Sequence, residues 1–295
     1  MSAATLEAQT KRLLRRFGLR ARKGLGQHFL IDEGVLEVIT QAAELTPADI
    51  VVEVGPGLGV LTRELARRVG WLFAIELDSK LAAILQNTLS SFNSVTVINR
   101  DILEINPASL FEEVPASFSG QKESTLSYKV VANLPYYITS PVLRHFLEAA
   151  IKPRLMVVMV QQEVAEAITA RPGQMSVLSV SVQFYGQPEI VSQVPASCFY
   201  PAPEVNSAIL KIAVYPRPAV SVTDEASFFS LVRAGFCAAR KQLANSLAQG
   251  LKLPKTLVLS LLEGVGIDPK RRAETLTLEE WAGLWRGFTQ LAGRK

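Results

Sequence analysis

A chain of 295 residues, 48% hydrophobic and 20% charged, buries roughly three quarters of its unfolded surface, so its core needs neither disulfide nor structural metal. Cys198 and Cys237 stand apart, without CxxC spacing or a histidine cluster, which argues against a zinc site and a disulfide framework. The net charge of +4 is uneven: Lys11, Arg12, Arg15, Arg16, Arg20, Arg22 and Lys23 follow one another with no acid between them, leaving the remainder net negative.

Residues 1–23 therefore read as a basic N-terminal arm: a polyanion contact of salt-dependent strength, with nucleic acid as the partner, or else a solvated tail or an Arg-rich organelle-targeting peptide. No run reaches the ~18 apolar residues of a membrane helix and no apolar signal core opens the chain. A soluble, reducing, cytoplasmic setting without membrane contact is expected, although an organelle origin stays open.

Four β-branched apolar runs follow at 50–54, 71–75, 95–98 and 128–132, each succeeded by a helical pattern, as at 58–69 and 80–89. Apolar strands alternating with helices predict an α/β parallel sheet covered on both faces. Further strands are predicted at 155–160, 177–184 and 208–214, the last two as an antiparallel pair, for seven in all. Residues 115–127, rich in Ser and small polar residues, read as a surface loop. Pro216-Arg217-Pro218 ends the sheet-like part. Helices are expected at 228–239, 243–250, 255–263 and 277–291, the last opened by Thr277 with Glu280 three residues on.

The polar residues at the strand ends form a pattern. After the first strand comes Gly55-Pro56-Gly57-Leu58-Gly59, a loop that lets backbone approach a ligand but departs from the dinucleotide G-x-G-x-x-G spacing. The second strand ends at Glu76, placed to accept from ribose hydroxyls. The third is followed by Asp101, placed to accept from a cofactor adenine, and the fourth by Asn133-Leu134-Pro135-Tyr136. An exocyclic amine such as adenine N6 is a poor nucleophile until acceptors localise its lone pair. The Asn133 side-chain oxygen and the carbonyl of residue 134 or 135 supply such acceptors, and Tyr136 supplies a stacking face. Glycine loop, two acids and an amide at successive strand ends suit an adenosine-containing cofactor without a diphosphate, namely S-adenosyl-L-methionine.

Gly24-Leu25-Gly26-Gln27-His28-Phe29-Leu30, the Gly55–Gly59 loop, Ile75-Glu76-Leu77-Asp78, Asn133-Leu134-Pro135-Tyr136 and Phe199-Tyr200-Pro201-Ala202-Pro203-Glu204-Val205-Asn206-Ser207 together resemble the bacterial small-subunit (16S) rRNA adenine N6,N6-dimethyltransferases. The likeness continues into Gly266-Ile267-Asp268-Pro269 and Arg272-Ala273-Glu274. It implies a Rossmann-like class I methyltransferase domain over 24–216 and a small all-helical RNA-recognition domain over 217–295. It further implies a monomer that dimethylates two adjacent adenines in a hairpin loop near the 3′ end of small-subunit rRNA during ribosome biogenesis.

By that resemblance His28, Leu30, Gly55, Glu76, Asp101 and Asn133 contact the cofactor, with no metal, and Asn133, Pro135, Tyr136 and Phe199 form the catalytic clamp. Phe199 is expected opposite Tyr136 across the target base. His28, where the family often has Asn, reads either as a cofactor contact or as a packed neutral histidine. Basic residues usual in the family are missing at 162, 167 and 238–239, and 171–180 is shortened, which leaves the grip on RNA less defined. The alternatives are a large-subunit (23S) rRNA adenine methyltransferase of the antibiotic-resistance type and a non-catalytic assembly or transcription factor on the same fold.

Overall fold

A computed structural model describes residues 5–19, 26–115, 127–238 and 240–292. The chain divides into two compact units, Met1–Ala165 with Glu189–Val214, and Glu166–Pro188 with Tyr215–Lys295. The expected continuous domain over 24–216 is thus interrupted by 166–188. Of the basic arm, Leu6–Arg16 is a helix, α1, whose Leu14 packs with Phe29, Leu58 and Leu81; Arg20, Arg22 and Lys23 lie outside the described residues, as do 116–126 of the predicted loop.

In the first unit, β1 (Phe29–Leu30) and α2 (Glu33–Ala42) precede an alternating run. It comprises β2 (Ile50–Val54), α3 (Val60–Ala66), β3 (Trp71–Ile75), α4 (Ser79–Thr88), β4 (Val95–Ile98), β5 (Tyr128–Asn133), α5 (Thr139–Leu147) and β6 (Leu155–Gln161). The helix α6 (Gln162–Ile168) leads into the second unit, which holds α7 (Val177–Tyr185). The chain then returns through β7 (Gly186–Val194), β8 (Phe199–Tyr200) and β9 (Ser207–Val214).

The sheet order is β4-β3-β2-β5-β6-β9-β7. Pairs from β4 to β6 are parallel, and β9 runs antiparallel to β6 with Met159 opposite Ile209. Residues of β2 and β6, and of β5 up to Asn133, are buried almost without interruption, as a sheet covered on both faces requires.

Among the described residues the main sheet has seven strands, but one predicted strand is a helix. Residues 177–184 alternate Val and Ser like a strand, yet the Ser176 hydroxyl accepts from the Ser179 N–H at 3.2 Å while the Ser179 hydroxyl accepts from the Ser176 N–H at 2.5 Å. This reciprocal cap starts α7, and burial of Val180, Val182, Phe184 and Tyr185 completes it. The seventh strand is β7, whose Pro188 is tolerated because β7 is an edge. The expected pairing of 177–184 with 208–214 is therefore replaced by β6 with β9.

The second unit continues through α8 (Glu225–Phe236), α9 (Leu243–Leu251), α10 (Lys255–Gly264) and α11 (Leu278–Ala292). Phe184 meets Phe228 and Phe229 at centroid distances of 5.1 Å, and Trp281 stacks on Phe236 at 5.7 Å. The expected cap of the last helix is formed: Glu280 N–H donates to the Thr277 hydroxyl at 3.1 Å and Thr277 N–H to the Glu280 carboxylate at 2.8 Å. Glu274 of the Arg-Ala-Glu segment accepts through its carbonyl from the N–H groups of Gly173 and Met175, so that motif straps down the shortened 171–175 stretch.

At the amino ends of the strands, buried Lys129 of β5 donates to the Ala43 and Glu44 carbonyls and to Asp49, 2.9 Å from Asp49 Oδ2. Arg154 pairs with the other Asp49 oxygen. Burial raises the Asp49 carboxyl, but Lys129 and the Thr46 N–H outweigh it and hold the group below its ordinary range. The network ties the residue before β2 to β5 and to the residue before β6. Lys129→Met is expected to cost about 3 kcal/mol in chemical denaturation by removing the buried cation of Asp49 and the donor to the Ala43 and Glu44 carbonyls. Because the folded carboxyl is depressed, the Asp49 contribution is present above pH ~3.8 and lost as pH falls through the folded value; Asp49→Asn should flatten that acid limb of the stability curve.

Candidate active site

The strand sequence reverses between β2 and β5, which pair at the centre of the sheet. Beyond the carboxyl ends at such a reversal α/β sheets bind their ligands. A cavity opens there, and His28, Leu30, Gly55, Glu76, Asp101, Asn133, Pro135 and Tyr136 all line it. Eight of the nine predicted site residues therefore line one cavity; the ninth, Phe199, is not among its lining residues.

The loop after β2 turns on glycine. Gly55 has φ +66°, and a Cβ there would stand 3.3 Å from Pro135; at Gly59, with φ +76°, it would stand 2.8 Å from Leu85. Only glycine allows this backbone both its left-handed turns and its close approach to Pro135 and to Leu85 of α4. Glu76, 6% exposed, holds the loop from β3: its carboxylate accepts from the Gly57 N–H at 3.0 Å and the Asp78 N–H at 2.9 Å. Burial pushes its pKa up against the lowering effect of those N–H donors. Asn99 donates to the Glu76 and Leu77 carbonyls, and Asp101 caps the turn Ile102–Glu104 through the Leu103 N–H at 2.9 Å. Glu76 and Asp101 retain lone pairs for a ligand, since a carboxylate offers about four.

The opposite wall comes from the N-terminal segment and β5. Strand β1 pairs antiparallel with β8, Leu30 opposite Phe199 and Phe29 opposite Tyr200. His28 Nδ1–H donates to the Pro201 carbonyl at 2.8 Å, which leaves Nε2 as an acceptor, and its ring stacks on Tyr136 at 5.9 Å between centroids. His28 is thus packed against Tyr136 and also lines the cavity. The Asn133 amide donates to the His28 carbonyl at 3.2 Å, so its oxygen is left to accept. The Tyr136 hydroxyl is 2.7 Å from buried Ser207 Oγ; burial raises its pKa, with the Ser207 contact opposing.

Phe199, expected opposite Tyr136, is not among the residues that line the cavity. It is 3% exposed and packs in the core with Leu30, Leu36 and Ile39. Its neighbour across the β1–β8 ladder lines the cavity, so Phe199 supports the wall from behind.

Tyr137 and Glu53 also line the cavity, and neither is among the predicted site residues. Tyr137, 53% exposed, lines the mouth beside Tyr136. Glu53, 2% exposed, lines the floor, and its Oε2 has no hydrogen-bond partner among the described residues. Burial pushes its pKa up to about 8, with the nearby Glu76 charge adding to the rise. The signal was an acid inside the apolar run Ile50-Val51-Val52-Glu53-Val54, where alternation alone would not place one. Among the described residues no group of three or more His, Cys, Asp or Glu side chains could hold a metal ion, and no helix is long and apolar enough to cross a membrane.

The model of the family described as ribosomal RNA adenine dimethylase matches residues 18–286. The chain is 52% identical over 284 residues to ribosomal RNA small subunit methyltransferase A of Dehalococcoides mccartyi, covering 96% of this chain and 94% of that one. It is 45% identical over 289 residues to the protein of that name from Moorella thermoacetica, covering 97% and 99%. Among solved structures, the 23S rRNA methyltransferase ErmE matches with a TM-score of 0.67 at 29% identity over 89% of this chain and all of that one. A dimethyladenosine transferase from Plasmodium falciparum matches in fold, with a TM-score of 0.71 at 24% identity over 90% and 98%.

Glu53 yields a pH test. Its folded pKa, raised above the ordinary 4.5, makes a stability contribution that is fully present below pH 4.5 and is lost as pH rises through about 8. Glu53→Gln is expected to melt above the wild type by a few degrees near pH 9 and to lose that advantage near pH 5, as read by calorimetry. An offset independent of pH would mean that Glu53 does not titrate in the fold.

Proposed function

The chain belongs to the ribosomal RNA adenine dimethylase family, and on that premise we propose that Asn133, Pro135 and Tyr136 present the N6 amino group of an unstacked adenine for methylation. The activity is dimethylation of adenine N6 in small-subunit rRNA with S-adenosylmethionine as methyl donor, on a Rossmann-like class I methyltransferase fold. The large-subunit alternative is the less similar relative, and no observation on this chain favours a non-catalytic role.

The cavity suits a nucleoside-bearing sulfonium. Glu76 accepts from the ribose hydroxyls and Asp101 from the adenine amino group. Gly55 and Gly57 admit close backbone approach, while Leu58, Ile75 and Ile102 supply apolar walls. His28, Leu30 and Asn133 close the opposite side. When bound, the cofactor supplies an activated methyl group, so the protein needs no strong base.

What the chain supplies is position and acceptors. The carrying observation is the Asn133 amide: with its N–H engaged by the His28 carbonyl, its oxygen points as an acceptor for one N6 hydrogen. The Pro135 carbonyl, which already accepts from the Ile138 N–H at 3.1 Å, keeps a lone pair for the other. Two acceptors draw the amine lone pair out of conjugation. Tyr136, tethered through Ser207, offers its face to the base, which must leave its stack to reach the cavity. Two adjacent adenines near the 3′ end of the small-subunit rRNA are the substrate, met in the cytoplasm by a monomer of this chain.

Asn133→Ala is expected to lower the methyl-transfer kcat by about 10²- to 10³-fold while the fold, followed by circular dichroism, persists. Near-normal transfer with intact cofactor binding would remove Asn133 from this role. Labelled methyl transfer to undermodified small subunits and, in parallel, to large-subunit RNA should label only the former.

A further inference from the structure

Helix α1 has two unlike faces. Its inner face is fixed: Leu14 packs with Phe29, Leu58 and Leu81, three residues that line the cofactor cavity from the other side. The Thr5 hydroxyl caps its start by accepting from the Ala8 N–H, and the Leu19 N–H closes its end on the Leu14 carbonyl at 2.9 Å. On the outer face Arg12, Arg15 and Arg16 are exposed at helical neighbour spacing. They form no ion pair among the described residues, whereas Lys11 is paired with Glu7 at 2.6 Å. Lys11 also lies 5.0 Å over the ring of Tyr200, itself 38% exposed.

We propose that the Arg12, Arg15 and Arg16 face of α1 docks the phosphodiester backbone of the RNA substrate, and that this contact tightens the cofactor cavity through Leu14. The inference rests on the rRNA reading above and extends it to a named surface and a coupling. Three unpaired guanidiniums on one rigid helix match a row of phosphates in charge and geometry. The same helix packs behind the cavity wall, so holding it in place restrains Phe29, Leu58 and Leu81 through Leu14. By linkage, RNA that favours the closed wall raises cofactor affinity, and cofactor raises RNA affinity by the same factor.

The test uses the full chain and its R12Q/R15Q/R16Q variant, whose substitutions are all at exposed positions. RNA binding is measured against salt concentration with an undermodified small-subunit rRNA fragment, and cofactor Kd by calorimetry with and without that RNA. The variant should bind RNA at least about tenfold more weakly near 150 mM salt, with a log–log salt slope shallower by about two. Its cofactor Kd without RNA should match the wild type, but the several-fold tightening that RNA produces in the wild type should vanish. An unchanged salt slope overturns the docking surface; a shallower slope with the tightening intact overturns the coupling. A wild type that fails to methylate small-subunit RNA would instead overturn the functional reading.

Discussion

One buried carboxylate organises the ligand end of the sheet. Glu76 accepts from the N–H groups of Gly57 and Asp78 at once, fixing the loop after β2 and the start of α4 to the end of β3. Asn99, beyond β4, then holds the carbonyls of Glu76 and Leu77. Three successive strand ends are locked by one polar lattice, which offsets the cost of burying the charge. The loop geometry therefore exists before any ligand arrives. Glu53, near enough for the Glu76 charge to act on it, has no such backbone donors: its Oε2 is without a partner among the described residues, and burial pushes its pKa up to about 8.

The second wall is organised by the short β1–β8 ladder. It brings the N-terminal segment against the Phe-x-Pro-x-Pro segment, distant in sequence, and from that junction His28 reaches the Pro201 carbonyl while its own carbonyl receives the Asn133 amide. Asn133 is oriented by backbone and Tyr136 by Ser207. Neither functional group depends on a mobile side chain for its direction, a form of preorganisation that keeps reorganisation out of the reaction.

The sequence made the parallel strands readable because β-branched apolar runs buried on both faces leave little else for such segments to do; 50–54, 71–75 and 95–98 coincide with strands residue for residue. It misled at 177–184, where Val and Ser alternate but a reciprocal serine cap and burial around most of the helix decide. Strand β7 was hidden by Gly186, Pro188 and Glu189, residues that an edge strand accommodates and a central one would not. The strand-end acids and the amide were legible because polar groups stand out after apolar runs. The ring direction of Phe199 was not, since a motif gives position along the chain but not which side of a two-residue strand faces the core. Lys129 was likewise invisible as a buried cation, because its partner Asp49 lies eighty residues away.

The excursion of 166–188 into the helical unit makes the two units inseparable in inheritance. The chain passes between them three times, and Phe184 on α7 finds its aromatic partners, Phe228 and Phe229, only after the last passage. A gene shortened to end at Val214 would still encode α7 and leave its apolar face uncovered. The helical unit is thus not a detachable tail gained or lost at the end of a reading frame: any lineage that discards it must also rewrite the segment between β6 and β7.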